Sequence, residues 1–120
     1  MPQRHSLKPC PDSPNCVSSH SHDPRHHIEP LAFSGTIDEA KEKLRTILER
    51  QFQAHITTDH DFYLHGEVTS PWFRFIDDIE FLFDAERHLI HVRSASRTGY
   101  WDLGVNRKRI ERLRKQFADS

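Results

Sequence analysis

Phe73-Arg74-Phe75-Ile76-Asp77-Asp78-Ile79-Glu80-Phe81-Leu82-Phe83-Asp84-Ala85-Glu86-Arg87-His88-Leu89-Ile90-His91-Val92-Arg93-Ser94-Ala95-Ser96-Arg97 is the stretch whose reading decides the fold. Phe73, Phe75, Ile79, Phe81 and Phe83 recur at even spacing, so a strand over Phe73–Phe83 puts them on one face. Asp77 falls on the same apolar face, and a bulge at Asp77-Asp78 is predicted to relieve it. Asp84–Arg87 reads as a hairpin loop. The following strand, His88–Arg97, carries Ile90 and Val92 on one face and Leu89, His91, Arg93 and Arg97 on the other.

Toward the N-terminus two more strands are predicted, Ala54–Thr58 and Phe62–Thr69, with Asp59-His60-Asp61 as the turn. Phe62, Leu64 and Val68 share one face of the second, and Tyr63, His65 and Glu67 share the other. Ser70-Pro71 ends it. Before them, Thr36 and Glu39 form a capping box, and Ile37, Ala40, Leu44, Ile47, Leu48 and Phe52 make one helical stripe. Toward the C-terminus, a glycine-containing loop spans Thr98–Val105. Asn106 then reads as the cap of a helix through about Ala118, with Ile110, Leu113 and Phe117 facing inward. Val105 is placed to staple Ile110.

Residues 1–32 differ from the rest. They hold six of the seven prolines and five of the ten histidines. Proline removes donors and fixes φ, so neither a helix nor a central strand is expected there. The arm is read as extended, and residues 33–120 as a single α+β domain. The order helix, four strands, helix, with short connections, predicts a two-layer sandwich: a four-stranded, mainly antiparallel sheet with two helices on one face. The open face would present His65, Glu67, Arg74, Asp78, Glu80, Arg93 and Arg97.

The 120 residues suit one domain. The net charge of −1, from 17 basic and 18 acidic residues, argues against a protein built to bind nucleic acid. No stretch approaches the ~20 apolar residues of a membrane span. Met1–Ser6 has no apolar run after its positive charge, so no secretory signal is read and a cytoplasmic setting is expected. In that setting Cys10 and Cys16 are expected as thiols or metal ligands rather than a permanent bridge. Zinc at Cys10 and Cys16 with His20, His22, His26 or His27 is the less favoured reading, because zinc pairs usually have a tighter gap. Buried thiols or a strained disulfide in a packed arm are the alternatives, with Asn15 satisfying backbone groups in the turn. No cofactor is expected.

The last helix opens Asn106-Arg107-Lys108-Arg109, three cations at the end where positive charge is disfavoured. Asp77, Asp78, Glu80 and Asp102 are available to pair with Arg107 and Arg109. Alternatively, amides and arginines make an anion site. Arg93-Ser94-Ala95-Ser96-Arg97 offers either a ladder with Asp78 and Glu80 or a clamp for an anion. The leading expectation is a non-catalytic domain binding a small anionic ligand through Arg93, Ser94, Ser96, Arg97, Asp102, Asn106, Arg107 and Arg109, with Asp77, Asp78 and Glu80 beside them. The second is a hydrolytic or metal-assisted enzyme using Asp77, Asp78 and Glu80 as acid, base or metal ligands. The third is a structural domain whose polar motifs form one stabilising network. Tyr100-Trp101 closes the end of a core more readily than it stacks on a base.

Three segments resemble the domain-of-unknown-function 1499 family: Cys10-Pro11-Asp12-Ser13-Pro14-Asn15-Cys16-Val17-Ser18-Ser19, then Phe75–Phe81, then Val92–Arg97 with Gly99–Ile110. They span nearly the whole chain, in one order. The resemblance implies an α+β domain with a shared polar centre, in which the cysteine pair, the acidic strand and the Arg/Ser segment meet. It implies no reaction.

Overall fold

In the computed structural model, which describes residues 6–69, 75–99 and 101–120, the chain runs β1 (Cys16–Ser18), β2 (Leu31–Ala32), α1 (Ile37–Gln51), β3 (His55–His60), β4 (Tyr63–Thr69), β5 (Ile76–Asp84), β6 (Leu89–Ser96) and α2 (Val105–Asp119). The quoted hairpin forms: β5 and β6 pair antiparallel from Asp77↔Ser96 to Asp84↔Leu89. The sheet order is β1-β6-β5-β4-β3, every pair antiparallel, and β2 also pairs with β6. The α+β class stands, but the sheet has six strands where four were expected. The two extra ones come from the arm. Runs of three and two residues are too short to show an alternation in sequence. They lie along the outer edge of β6, where proline-rich chain is tolerated.

The arm contributes to the core as well as to the sheet. Val17, Ile28, Leu31 and Phe33 join one cluster with Leu44 and Leu48 of α1, Leu64 and Val68 of β4, Ile79, Phe81 and Phe83 of β5, Ile90 and Val92 of β6, and Ile110, Leu113 and Phe117 of α2. The strand registers set Leu64, Phe81 and Val92 side by side on that apolar face. Tyr63, His65, Glu67, Asp78, Glu80, Arg93 and Arg97 alternate onto the other.

Several local expectations are corrected. No bulge occurs at Asp77-Asp78, because the register runs unbroken on both sides of β5. Asp77 stays on the apolar face and is satisfied there. The sheet's irregularity is at Ile56/Thr58 instead. Phe62 and Phe75 are exposed rather than inward, since each lies just outside its strand. Val105 is exposed and starts α2, so it forms no staple. Asn106 is not the cap. Gly104 is, in a left-handed conformation at φ 76° that favours glycine. Thr36 does cap α1, with its Oγ1 accepting from the Glu39 amide at 3.1 Å. Ser70, Pro71, Phe73, Arg74 and Tyr100 lie outside the described residues. Among those described, no helix is long and apolar enough to cross a membrane.

Candidate functional site

The residues singled out in sequence fall into two groups, one on each face of the sheet. β5 and β6 are the reason. Asp77 and its partner Ser96 share the apolar side with Ser94, whereas Asp78, Glu80, Arg93 and Arg97 take the other. Asp77, Asp78 and Glu80 therefore do not converge on one point.

The first group is buried against the start of α2. Arg109 Nη2 meets Asp77 Oδ2 at 2.7 Å, with side chains only 9% and 4% exposed. Arg109 Nη1 donates to Asn106 Oδ1 at 2.8 Å and Ser94 Oγ at 3.2 Å. Ser94 Oγ in turn donates to Asn106 Oδ1 at 2.6 Å. Asn106 Nδ2 reaches Asp102 Oδ2 (2.8 Å), Ser96 Oγ (3.0 Å) and the Asn15 carbonyl (3.2 Å). Asp102 also accepts from the amides of Gly104 at 2.8 Å and Asn106 at 3.1 Å. It thus supplies the negative charge that the helix N-terminus lacks in its own first turn. Arg107 turns instead to the arm, donating to the carbonyls of His27 at 2.8 Å and Arg25 at 3.3 Å. Of the three cations in the first turn, Arg109 is met by Asp77 and Arg107 by backbone oxygens, while Asp102 answers the helix N-terminus itself.

The second group lies on the polar face. Arg97 makes a two-point contact with Asp78, 2.7 and 2.9 Å, and reaches Glu67 at 2.7 Å. His65 Nε2 meets Asp78 Oδ1 at 2.8 Å. Burial by itself would raise the Asp78 carboxyl, but the hydrogen bonds from Arg97 and His65 outweigh it and hold the group below its usual range. Deeper in, Glu80 accepts from Tyr63 OH at 2.8 Å and from Arg93 Nη1 at 3.4 Å. Burial first, and then the Glu80 carboxylate, push the Tyr63 hydroxyl well above its ordinary range. Tyr63, His65 and Glu67 were visible in sequence only as the polar alternation of β4. What makes them partners is the β4–β5 register, Tyr63↔Leu82 through Glu67↔Asp78.

The cysteine expectation is corrected. Cys10 and Cys16 form a disulfide with Cα atoms 5.7 Å apart. The expectation of thiols or metal ligands rested on compartment, while the turn between them brings the two within bridging distance. Among the described residues no group of three His, Cys, Asp or Glu side chains is arranged to hold a metal ion. The bridged loop is fastened at both ends of its turn. Asn15 Nδ2 donates to the Gly99 carbonyl at 2.8 Å, the Asn15 carbonyl accepts from the Ser96 amide at 3.0 Å, and the Pro9 carbonyl accepts from Arg93 Nη2 at 3.4 Å. Opening the bridge by Cys10→Ala is expected to cost about 2 kcal/mol, the value for a ring this short. Urea unfolding with and without reductant checks this, since the parent should lose the same amount when reduced.

A family model bears on the same residues. The model described as "Protein of unknown function (DUF1499)" matches residues 6–117. The chain belongs to the DUF1499 family. No curated protein and no solved structure matches it. In this DUF1499 domain the match runs through the bridged loop, the acidic strand, the Arg/Ser segment and the start of α2. The bridged loop and the first group meet around Asn106, and the loop's Pro9 reaches the second group through Arg93.

Proposed function

We propose that this DUF1499 domain is a non-catalytic binding or interaction module in which the Arg93–Arg109 segment is an internal clamp. It holds the bridged arm, the sheet and α2 together, with both helices on one face of the sheet. One observation carries the reading. Arg93, Arg97, Arg107 and Arg109 each end on protein acceptors, and those acceptors come from five places: the arm, β4, β5, β6 and α2's own first turn. An outside anion at these arginines would have to displace an acceptor the fold already supplies. A permanent bridge at Cys10–Cys16 also fits an oxidising compartment better than the cytoplasm.

A second reading, a small anionic ligand on the polar face, is favoured by Arg93 Nε, which is buried without a hydrogen-bond partner among the described residues. Two variants separate the readings. Arg93 and Glu80 are nearly enclosed, so the clamp predicts that Arg93→Ala costs about 3 kcal/mol. Arg97 is 42% exposed, so Arg97→Ala is expected to cost no more than about 1 kcal/mol. Neither value should change in millimolar phosphate. Parental stabilisation by phosphate that vanishes in Arg97→Ala would support the ligand instead.

A further inference from the structure

A cavity of about 400 Å³ lies beside the bridged loop, walled by Leu7–Cys10 on one side and by Ser18 and the His20–His26 turn on the other. None of the clamp arginines lines it. Among its polar lining groups is His26, only 4% exposed. His26 Nδ1 lies 2.9 Å from the Cys16 carbonyl oxygen. A carbonyl can only accept, so Nδ1 carries a proton toward it, and Nε2 is left for a partner from the cavity. Nε2 has no protein partner among the described residues. Ser18, 1% exposed, lines the same cavity. Its Oγ accepts from the His20 amide at 3.1 Å, which leaves its hydroxyl proton available to a guest.

We propose that this cavity binds a small phosphate-type oxyanion, with one proton shared between the anion and His26 Nε2 and a second hydrogen bond from Ser18. The surrounding charges suit that guest. Lys8, His20 and His22 line the cavity and can carry positive charge. Asp23 is engaged by Arg25 at 2.7 Å, and Asp12 is the one other acid in the lining. His91 stands behind His20, ring centres 4.4 Å apart. The rest of the wall is fixed by the disulfide and by backbone bonds from Ser18 to His26 and Ile28, so little ordering is left to binding.

The shared proton dictates the pH dependence. At neutral pH the monobasic anion brings it. As the anion loses its own second proton above neutral pH nothing supplies it, so affinity should fall, approaching about tenfold per pH unit. Sulfate, which brings no proton near pH 7, should bind more weakly than phosphate there.

Isothermal titration of the full chain with inorganic phosphate at pH 6.5 and 8.5, and with sulfate at pH 7, tests the site. Saturable phosphate binding that weakens at least about tenfold at pH 8.5 is expected. His26→Asn keeps a donor toward the Cys16 carbonyl and removes Nε2, so it should melt like the parent yet lose at least about tenfold in affinity. Lys8→Met, on exposed chain, should weaken binding several-fold without altering the fold. Four outcomes would overturn the proposal: no saturable phosphate binding, sulfate equal to phosphate, a folded His26→Asn that binds like the parent, or zinc taken up in the cavity in place of phosphate. If His26→Asn fails to fold, an unchanged phosphate affinity in Ser18→Ala together with Lys8→Met would equally overturn it.

Discussion

Arg109→Ala is expected to lower the unfolding free energy by about 3–5 kcal/mol, the range for removing one partner of a buried ion pair. Asp77 is the reason. It sits on the apolar face between Val68 and Ser96, and its carboxylate is almost wholly enclosed. Without the guanidinium it keeps its desolvation cost and loses its counter-charge. Arg109 also donates to Asn106 and Ser94, so two further groups lose a partner. Arg109→Lys should recover only part of the loss, because a point charge cannot reach three acceptors in a planar fork. Asp77→Ala alone should be similarly costly, and the double variant should cost clearly less than the sum. Chemical unfolding followed by circular dichroism measures all four. A cost below about 1 kcal/mol for Arg109→Ala would mean the pair behaves as a surface contact and would remove the clamp reading.

Asp77 also marks where strand-local reading stops. Strand periodicity located it on the apolar face, which is correct. Local reasoning then offered a bulge, because within one strand that is the only relief for an inward acid. The actual relief comes from Arg109, 32 residues on: the charge violation at α2 had offered this pairing among several, but no local pattern singles it out. The charge violation at α2 was the same fact seen from the other side. An acid wrongly placed in a strand and a cation wrongly placed in a helix are each unfavourable alone, and each satisfies the other. The ladder of Arg93 and Arg97 with Glu80 and Asp78 was legible, because it needs only the hairpin register.

The arm was the least legible part. Its prolines exclude central strands but say nothing about edges, and β1 and β2 are held by few residues each. The cysteine pair was read through compartment, whereas spatial proximity decides whether a bridge forms. His26 carried no signal of its own, being named only with His20, His22 and His27 in the less favoured zinc reading. It is one of several histidines in a polar segment, and only the fold shows that it is buried with one nitrogen committed to a carbonyl.

Asn106 concentrates these lessons, and Asn106→Ala is expected to cost about 2–4 kcal/mol, since each buried group left without a partner costs about 1–3. As a presumed cap it would have been worth about 1 kcal/mol. Instead it is fully buried, and five contacts converge on its amide. It joins the bridged loop through the Asn15 carbonyl, β6 through Ser94 and Ser96, and the helix approach through Asp102. Asn106→Asp preserves the shape but replaces a donor with an oxygen facing Asp102 Oδ2. Two carboxylates cannot both ionise comfortably at that separation, so one of them should titrate above its unfolded value. The folded state then binds more protons than the unfolded one. Stability of this variant should therefore rise as pH falls from neutral toward the unfolded carboxyl pKa near about 3.9, where the proton restores the missing donor. Asn106→Ala carries no such group and should show no such gain, so unfolding both variants at pH 7 and pH 5 separates a lost amide donor from a lost shape.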